Sequence, residues 1–255
     1  MFKNVIVRVP SQSISEGLTS ANEGKPIYSK ALMQHENYVS ALTKTGVNVT
    51  VLEPQDEFPD ACFVEDVALC TSKCVIITRP GAETRRQEAA LPDMLEALKK
   101  FYTNVEYITE PGTVEAGDIM MVGDHFYIGL SARTNEAGAK QMIEILEKYG
   151  LSGQMVEMDE MLHLKTGLAY LENNNLLVAG EFKTKEEFAD FNKIEIDLDE
   201  AYGANCIWVN DYVIVPEGYP KVQAKIEALG YKVLVVDTSE FRKIDGGLSC
   251  LSLRF

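Results

Sequence analysis

Leu248-Ser249-Cys250-Leu251-Ser252-Leu253-Arg254-Phe255, the final stretch of the chain, reads as the opening strand of a repeated unit whose other elements lie at the opposite end of the sequence. The repeat is set out fully first in residues 63–108. Runs 63–70 and 74–78 read as two strands around a tight turn at Ser72-Lys73, a helix is expected over 83–101, and a strand over 104–108 closes the unit. The order strand, strand, helix, strand then returns. It recurs as 118–122, a Gly123-Asp124 turn, 126–130, helix 135–149 and strand 154–158. A third copy runs 166–172, Asn173-Asn174-Asn175, 176–180, a shorter helix 185–191 and strand 193–196. A fourth runs 205–209, Asn210-Asp211, 212–216, helix 220–229 and strand 232–236. The N-terminal segment offers strand 4–9, a polar loop over 11–27, a helix over 28–44 ended by Gly46, and strand 47–52. These are the three elements that run 248–255 needs to make a fifth unit.

Units that cannot bury their own faces stack into a solenoid or close into a ring, and a unit split between the termini is how a ring seals its first and last edges. The expected fold is α/β: a five-bladed ββαβ propeller with pseudo-fivefold symmetry, spanning 1–255 as one domain, the last blade closed by both chain termini. An open mixed α/β sheet is the alternative; the tight ββ turns disfavour it, because parallel crossovers need long connections.

Composition narrows the partners. The chain has 255 residues, 46% of them hydrophobic and 25% charged, enough to bury a sizeable core and too little polar bias for extensive disorder. Its net charge of −15, from 24 basic and 39 acidic side chains, opposes binding to nucleic acid or to anionic membranes and favours the approach of a small cation. The apolar run at the start is too short for a signal peptide, and no run approaches the roughly 20 residues of a membrane span. Five cysteines without a C-x-x-C pair argue for a reduced, cytoplasmic protein with no structural metal or disulfide.

The candidates for chemistry cluster where each unit enters its first strand: Asp60-Ala61-Cys62-Phe63-Val64-Glu65-Asp66, Val114-Glu115-Ala116-Gly117-Asp118, His163-Leu164-Lys165-Thr166-Gly167, and Asp245-Gly246-Gly247-Leu248-Ser249-Cys250. In a ring of similar blades these clusters meet at one end of the axis. Cys250 is then a candidate nucleophile, although a cysteine between leucines is by itself more often a small buried hydrophobe. Glu115 beside His163 would orient the imidazole and raise its pKa, making a proton donor near neutral pH. Asp60, Glu65 and Asp66 are costly to desolvate unless a cation meets them. Arg85 and Arg133, at equivalent places after the second strands, could fork onto a carboxylate, with Arg86 an alternative to Arg85 that spacing does not exclude.

Taken together, Phe-Val-Glu-Asp at 63–66, Arg-Pro-Gly-Ala at 79–82, Glu-Ala-Gly-Asp at 115–118, Gly-Leu-Ser-Ala-Arg-Thr-Asn at 129–135, His-Leu-Lys-Thr at 163–166 and Asp-Gly-Gly-Leu-Ser-Cys at 245–250 resemble the dimethylarginine dimethylaminohydrolases of the pentein superfamily, over essentially the whole chain. The resemblance implies hydrolysis of Nω-methylated arginine to citrulline and a methylamine without a cofactor or metal. In that reading Cys250 is the nucleophile, His163 the proton shuttle and Glu115 its support. Asp66, with Glu65 nearby, would hold the guanidinium, and Phe63 would pack on the substrate. Arg85 and Arg133 would take its α-carboxylate, and Asp60 with the backbone carbonyls of Leu18 and Ile244 its α-amino group. Loop 11–27 becomes a lid, and a homodimer is compatible. Arginine and agmatine deiminases of the same superfamily carry an aspartate two residues after the catalytic histidine; here that residue is Lys165, which implies a substituted guanidine as substrate. Deimination of arginine or of another guanidino compound is the alternative activity, and a silent binder of a cationic metabolite a further one.

Overall fold

The computed structural model describes residues 1–255. From the N-terminus, β1 (Asn4–Arg8) leads through one 3-10 turn, Gln12–Glu16, to helix α1 (Tyr28–Lys44) and strand β2 (Asn48–Leu52). The apolar run Val5-Ile6-Val7 is fully buried in β1, and α1 turns Ala31, His35, Tyr38, Ala41 and Leu42 inward at helical spacing. Next come β3 (Ala68–Cys70), β4 (Val75–Ile77), α2 (Pro92–Lys99) and β5 (Val105–Tyr107). They are followed by β6 (Ile119–Val122), β7 (His125–Leu130), α3 (Glu136–Lys148) and β8 (Ser152–Glu157), then β9 (Leu168–Tyr170), β10 (Asn175–Val178) and β11 (Asn192–Glu195). The chain finishes with β12 (Ile207–Val209), β13 (Tyr212–Pro216), α4 (Pro220–Ala228), β14 (Lys232–Val236), a short α5 (Ser239–Arg242) and β15 (Leu253–Arg254).

These strands make five three-stranded sheets with one shared plan. In four of them a tight turn pairs the first two strands antiparallel, and a longer crossover brings the third strand back parallel to the second. The remaining sheet has the order β15-β1-β2: the C-terminal strand pairs antiparallel with β1, Val5 opposite Arg254, and β1 pairs parallel with β2. The split fifth unit is therefore present as a sheet.

The chain forms two compact units, one of residues 1–64 with 205–255 and one of residues 65–204. The first packs Tyr38, Phe63, Phe241, Leu248 and Leu251 into its core, and Tyr38 donates its hydroxyl to the Leu248 carbonyl at 2.9 Å, tying α1 to the turn that carries Cys250. The second has one apolar cluster around Ile76, Phe126 and Met142 and another around Leu164, Phe182 and Phe188.

Several sequence expectations need correction. Runs 63–70, 118–122, 166–172 and 248–255 are not strands from their starts: extended pairing begins at Ala68, Ile119, Leu168 and Leu253, each preceded by a single 3-10 turn at Val64–Val67, Ala116–Asp118, Leu164–Thr166 and Ser249–Leu251. Alternation over three or four residues does not distinguish a strand from one tight turn, and polar side chains that bond nearby backbone favour the turn. The helix expected over 83–101 is two 3-10 turns, Glu83–Arg85 and Glu88–Ala90, before α2. Pro92 explains the break, since it lacks an N–H and is tolerated only in the first helical turn. The helix expected over 185–191 is one 3-10 turn, Glu186–Phe188, too few residues for a helical nucleus of its own.

Candidate active site

The 3-10 turns that precede the first strands carry or adjoin candidate side chains: Glu65, Asp66, Glu115, His163 and Cys250. In the unit of residues 65–204, Glu115 caps one such turn and His163 precedes another. His163 Nε2 lies 2.8 Å from Glu115 Oε2, and Glu115 is almost fully enclosed, 1% exposed. The other oxygen, Oε1, accepts the Ala82 N–H at 2.9 Å and sits 3.5 Å from Arg133 Nη1. With Nε2 committed to Glu115, Nδ1 is the ring nitrogen available to exchange a proton with a bound molecule.

Asp66 stands beside this pair. Its Oδ1 accepts the Gly117 N–H at 3.2 Å, and a Cβ placed on Gly117 would come within 2.8 Å of both Asp66 Oδ1 and His163 Nδ1. Glycine at 117 is what lets carboxylate and imidazole approach the same stretch of backbone. Burial alone would push the imidazole pKa down; the negative charges of Asp66, Asp118 and Glu115 outweigh it and push His163 up to about 9. Burial raises the Glu115 carboxyl and the His163 hydrogen bond and charge lower it, with a net fall below the usual carboxylate range. The favoured state of the pair is imidazolium with carboxylate.

Asp66, Glu115 and His163 each offer a ligand atom, all within 4.8 Å of one another, a spacing a metal ion could bridge. Their partners are already supplied, however: His163 by Glu115, and Asp66 by the guanidinium of Arg85. The chemistry of the set is that of an ion-pair cluster.

Arg85, expected at a ligand carboxylate, is 4% exposed and gives Nη1 to Asp66 at 2.5 Å while Nε and Nη2 reach Glu88 at 3.0 and 2.7 Å. Arg133 has more freedom, its side chain 24% exposed. Arg86 pairs with Glu83 at the surface and with the Pro80 carbonyl. Lys165 does not stand apart: its Nζ is 2.6 Å from Glu65 Oε1, with side chains only 15% and 5% exposed.

In the other unit, Cys250 lies on the Ser249–Leu251 turn, 8% exposed, with the Ser249 hydroxyl 3.9 Å from its sulfur. Asn205 holds that turn: its Oδ1 accepts the Ser249 N–H at 2.9 Å, its Nδ2 reaches the Ser249 hydroxyl at 3.2 Å, and a Cβ on Gly247 would strike its amide at 2.5 Å. Asp60 accepts the Leu18 N–H through both oxygens, at 3.0 and 3.2 Å. A Cβ at Gly17 would meet both Asp60 and Ile244, so Leu18, Asp60 and Ile244 are neighbours. Thr19 and Ser20 bond to Lys243 and Asp245, fastening loop 11–27 to the segment before the turn that carries Cys250. Phe63 packs edge-on to Phe241 with ring centroids 6.2 Å apart.

Three contributors escaped the sequence reading. Asp118 reads as the start of a strand although it ends the Glu-Ala-Gly-Asp motif; Glu88 is one acid among several on an expected helix; and Asn205 reads as the first residue of the strand 205–209. For Asp118 alone was there a signal, its place in the motif.

Comparison with known proteins gives the family. Residues 12–187 match the family model for N,N dimethylarginine dimethylhydrolase, eukaryotic. Over 256 aligned residues the chain is 62% identical to an N(G),N(G)-dimethylarginine dimethylaminohydrolase of Pseudomonas aeruginosa, covering all of both chains. The chain belongs to the dimethylarginine dimethylaminohydrolase family. Two solved dimethylarginine dimethylaminohydrolase structures superpose on it with TM-scores of 0.98, each at 62% identity and over 100% of both chains. One is the Pseudomonas aeruginosa enzyme with a cysteine-to-serine mutation, complexed with citrulline. The other is a histidine-to-glycine variant as an adduct with S-methyl-L-thiocitrulline. The mixed α/β fold of small sheets is thus that of the dimethylarginine dimethylaminohydrolases.

Proposed function

We propose that the chain hydrolyses Nω-methylated arginine to citrulline and a methylamine through a covalent intermediate on Cys250. The observation that carries this reading is the buried Glu115–His163 ion pair with Asp66 beside it, in a chain 62% identical over its full length to a dimethylarginine dimethylaminohydrolase. The Cys250 thiolate attacks the guanidinium carbon and forms a C–S bond. The tetrahedral adduct collapses with cleavage of the C–N bond to the methylated nitrogen, which leaves as an amine on taking a proton from His163. Water then adds to the S-alkylthiouronium carbon, giving its proton back to His163, and the thiolate departs to leave citrulline. Glu115 keeps the imidazole oriented throughout.

Asp66 receives one edge of the guanidinium, with Glu65 behind it, and Phe63 packs against the substrate. Arg133 and Arg85 receive the α-carboxylate, Arg85 sharing its fork with Asp66 and Glu88. Asp60 and the carbonyls of Leu18 and Ile244 receive the α-amino group, and loop 11–27 acts as the lid. The same reading takes 1–255 as one catalytic domain, its five sheets the blades of a closed propeller. The β15–β1 pairing supports that closure by joining the two ends of the chain in one sheet.

The test is a competition between arginine and asymmetric dimethylarginine at equal concentrations, with ammonia and dimethylamine quantified separately. Dimethylamine is expected to predominate; predominant ammonia release would replace this function with arginine deimination.

A further inference from the structure

Asp118 is completely buried, and its partners are neutral donors: the Leu164 N–H at 3.0 Å on Oδ1, the Ser131 hydroxyl at 2.7 Å on Oδ2, and the Thr134 side chain. Burial raises its own pKa, so a carboxylate kept here needs a counter-charge, and the cation it feels is the imidazolium of His163. Its two oxygens reach different turns. Leu164 directly follows His163, so the bond on Oδ1 fixes the backbone from which the imidazole hangs. The Ser131 hydroxyl, while donating to Oδ2, accepts the N–H groups of Arg133 and Thr134 at 3.0 and 3.1 Å, and the Thr134 hydroxyl accepts the Glu115 N–H at 3.1 Å. One buried carboxylate therefore ties together the turns carrying His163, Arg133 and Glu115.

We propose that Asp118 is a positioning residue for His163: it fixes the backbone of the imidazole and supplies part of the negative field that holds a proton on the ring until the leaving amine takes it. The inference rests on the proton-donor role given to His163 above. The charged groups facing that imidazole are Asp66, Glu115 and Asp118, with the guanidinium groups of Arg85 and Arg133 beyond Glu115. Asp118 differs from the other two carboxylates in lacking an arginine partner, so its charge is the least neutralised of the three.

The measurement is an NMR titration of the imidazole carbons in wild type and Asp118→Asn, made tractable by a chain with only three histidines, of which His125 serves as the internal control. Asparagine keeps an acceptor for the Leu164 N–H and removes the charge. The His163 midpoint is expected to fall by about one pH unit or more, a tenfold loss of proton affinity, while His125 is unmoved. Turnover of dimethylarginine should fall in kcat at pH values above the lowered midpoint, more than KM changes. An unchanged His163 midpoint in a folded Asp118→Asn protein with lowered thermal stability would reduce Asp118 to a purely structural role and overturn the inference. Should that variant not fold, the wild-type protein still decides: the Asp118 carboxyl carbon should shift with the same midpoint as His163, and a resonance that passes that midpoint unmoved overturns the proposal. Both titrations are independent of turnover. A chain that fails to release dimethylamine while His163 responds to Asp118→Asn would sink the proposed activity alone.

Discussion

Cys250 and serine differ by one atom, yet a hydroxyl is a far weaker nucleophile than a thiolate at neutral pH. Cys250→Ser should therefore bind substrate and melt within about 0.5 kcal/mol of wild type while releasing no amine, as checked by amine assay and thermal denaturation. Retained turnover would remove Cys250 from the mechanism. Lys165 poses a subtler question. Its ammonium pairs with Glu65, next to Asp66, so in the proposed mode, with the guanidinium on Asp66, the substrate meets a carboxylate there that already has a counter-charge. That suits a substrate whose other nitrogen carries methyl groups. Lys165→Met leaves Glu65 without its ion pair, and the ratio of kcat/KM for dimethylarginine to that for arginine should fall several-fold. An unchanged ratio would show that the pair only supports the turns it joins. In sequence, Lys165 was legible as a departure from the deiminase pattern; that it closes on Glu65 was not, because the two residues are a hundred positions apart and charge alone does not choose a partner.

At the scale of elements, helices and crossovers place the turns that bear the site. Asn135 is the clearest case: its Oδ1 caps α3 by accepting the Gly138 N–H at 2.8 Å and also accepts the Thr113 N–H at 3.0 Å, two residues before Glu115. Asn135→Ala should cost about 1–2 kcal/mol from the lost cap, read as a lower denaturant midpoint, together with a reduced kcat as the Glu115 turn loosens. A full stability loss with unchanged kcat would separate the cap from the site. Helices α1, α3 and α4 were readable from spacing and stop signals, and their ends fall within about two residues of expectation. The 3-10 turns were not. A single turn has no period to detect, and what stabilises it here is bonding to side chains distant in the chain, such as Asp118 to Leu164.

Over the whole molecule, folding also encloses groups that the chemistry does not use. His35 on α1 is buried, bonded to the backbone of Arg8, with Nε2 unpaired, and burial lowers its pKa from 6.5 to about 4. A folded-state pKa depressed below the unfolded value means that the unfolded chain takes the proton first on acidification. Its stabilising contribution is complete above pH 6.5 and is lost as pH falls towards 4, by at most about 3 kcal/mol. Urea midpoints at pH 7 and pH 5 should differ by less in His35→Gln than in wild type. An equal difference in both would place the acid sensitivity elsewhere. No helix is long and apolar enough to cross a membrane, in agreement with the hydropathy of the sequence.

The repeat of strand, turn, strand, helix, strand is local, set by side-chain periodicity and by turn residues such as Asn173-Asn174 and Asn210, which take left-handed backbone. The sequence by itself therefore determined the five sheets, the pairing of the chain ends and the clusters that hold the candidate side chains. Tertiary structure decided which charges meet. It set Arg85 on Asp66 and Glu88, Lys165 on Glu65, and Asp118 beneath His163, and it made Asn205 the support of the Cys250 turn. Ion pairs and buried hydrogen bonds are chosen by burial and by distances of 3 Å or so across residues far apart in sequence, and neither quantity exists until the chain has folded.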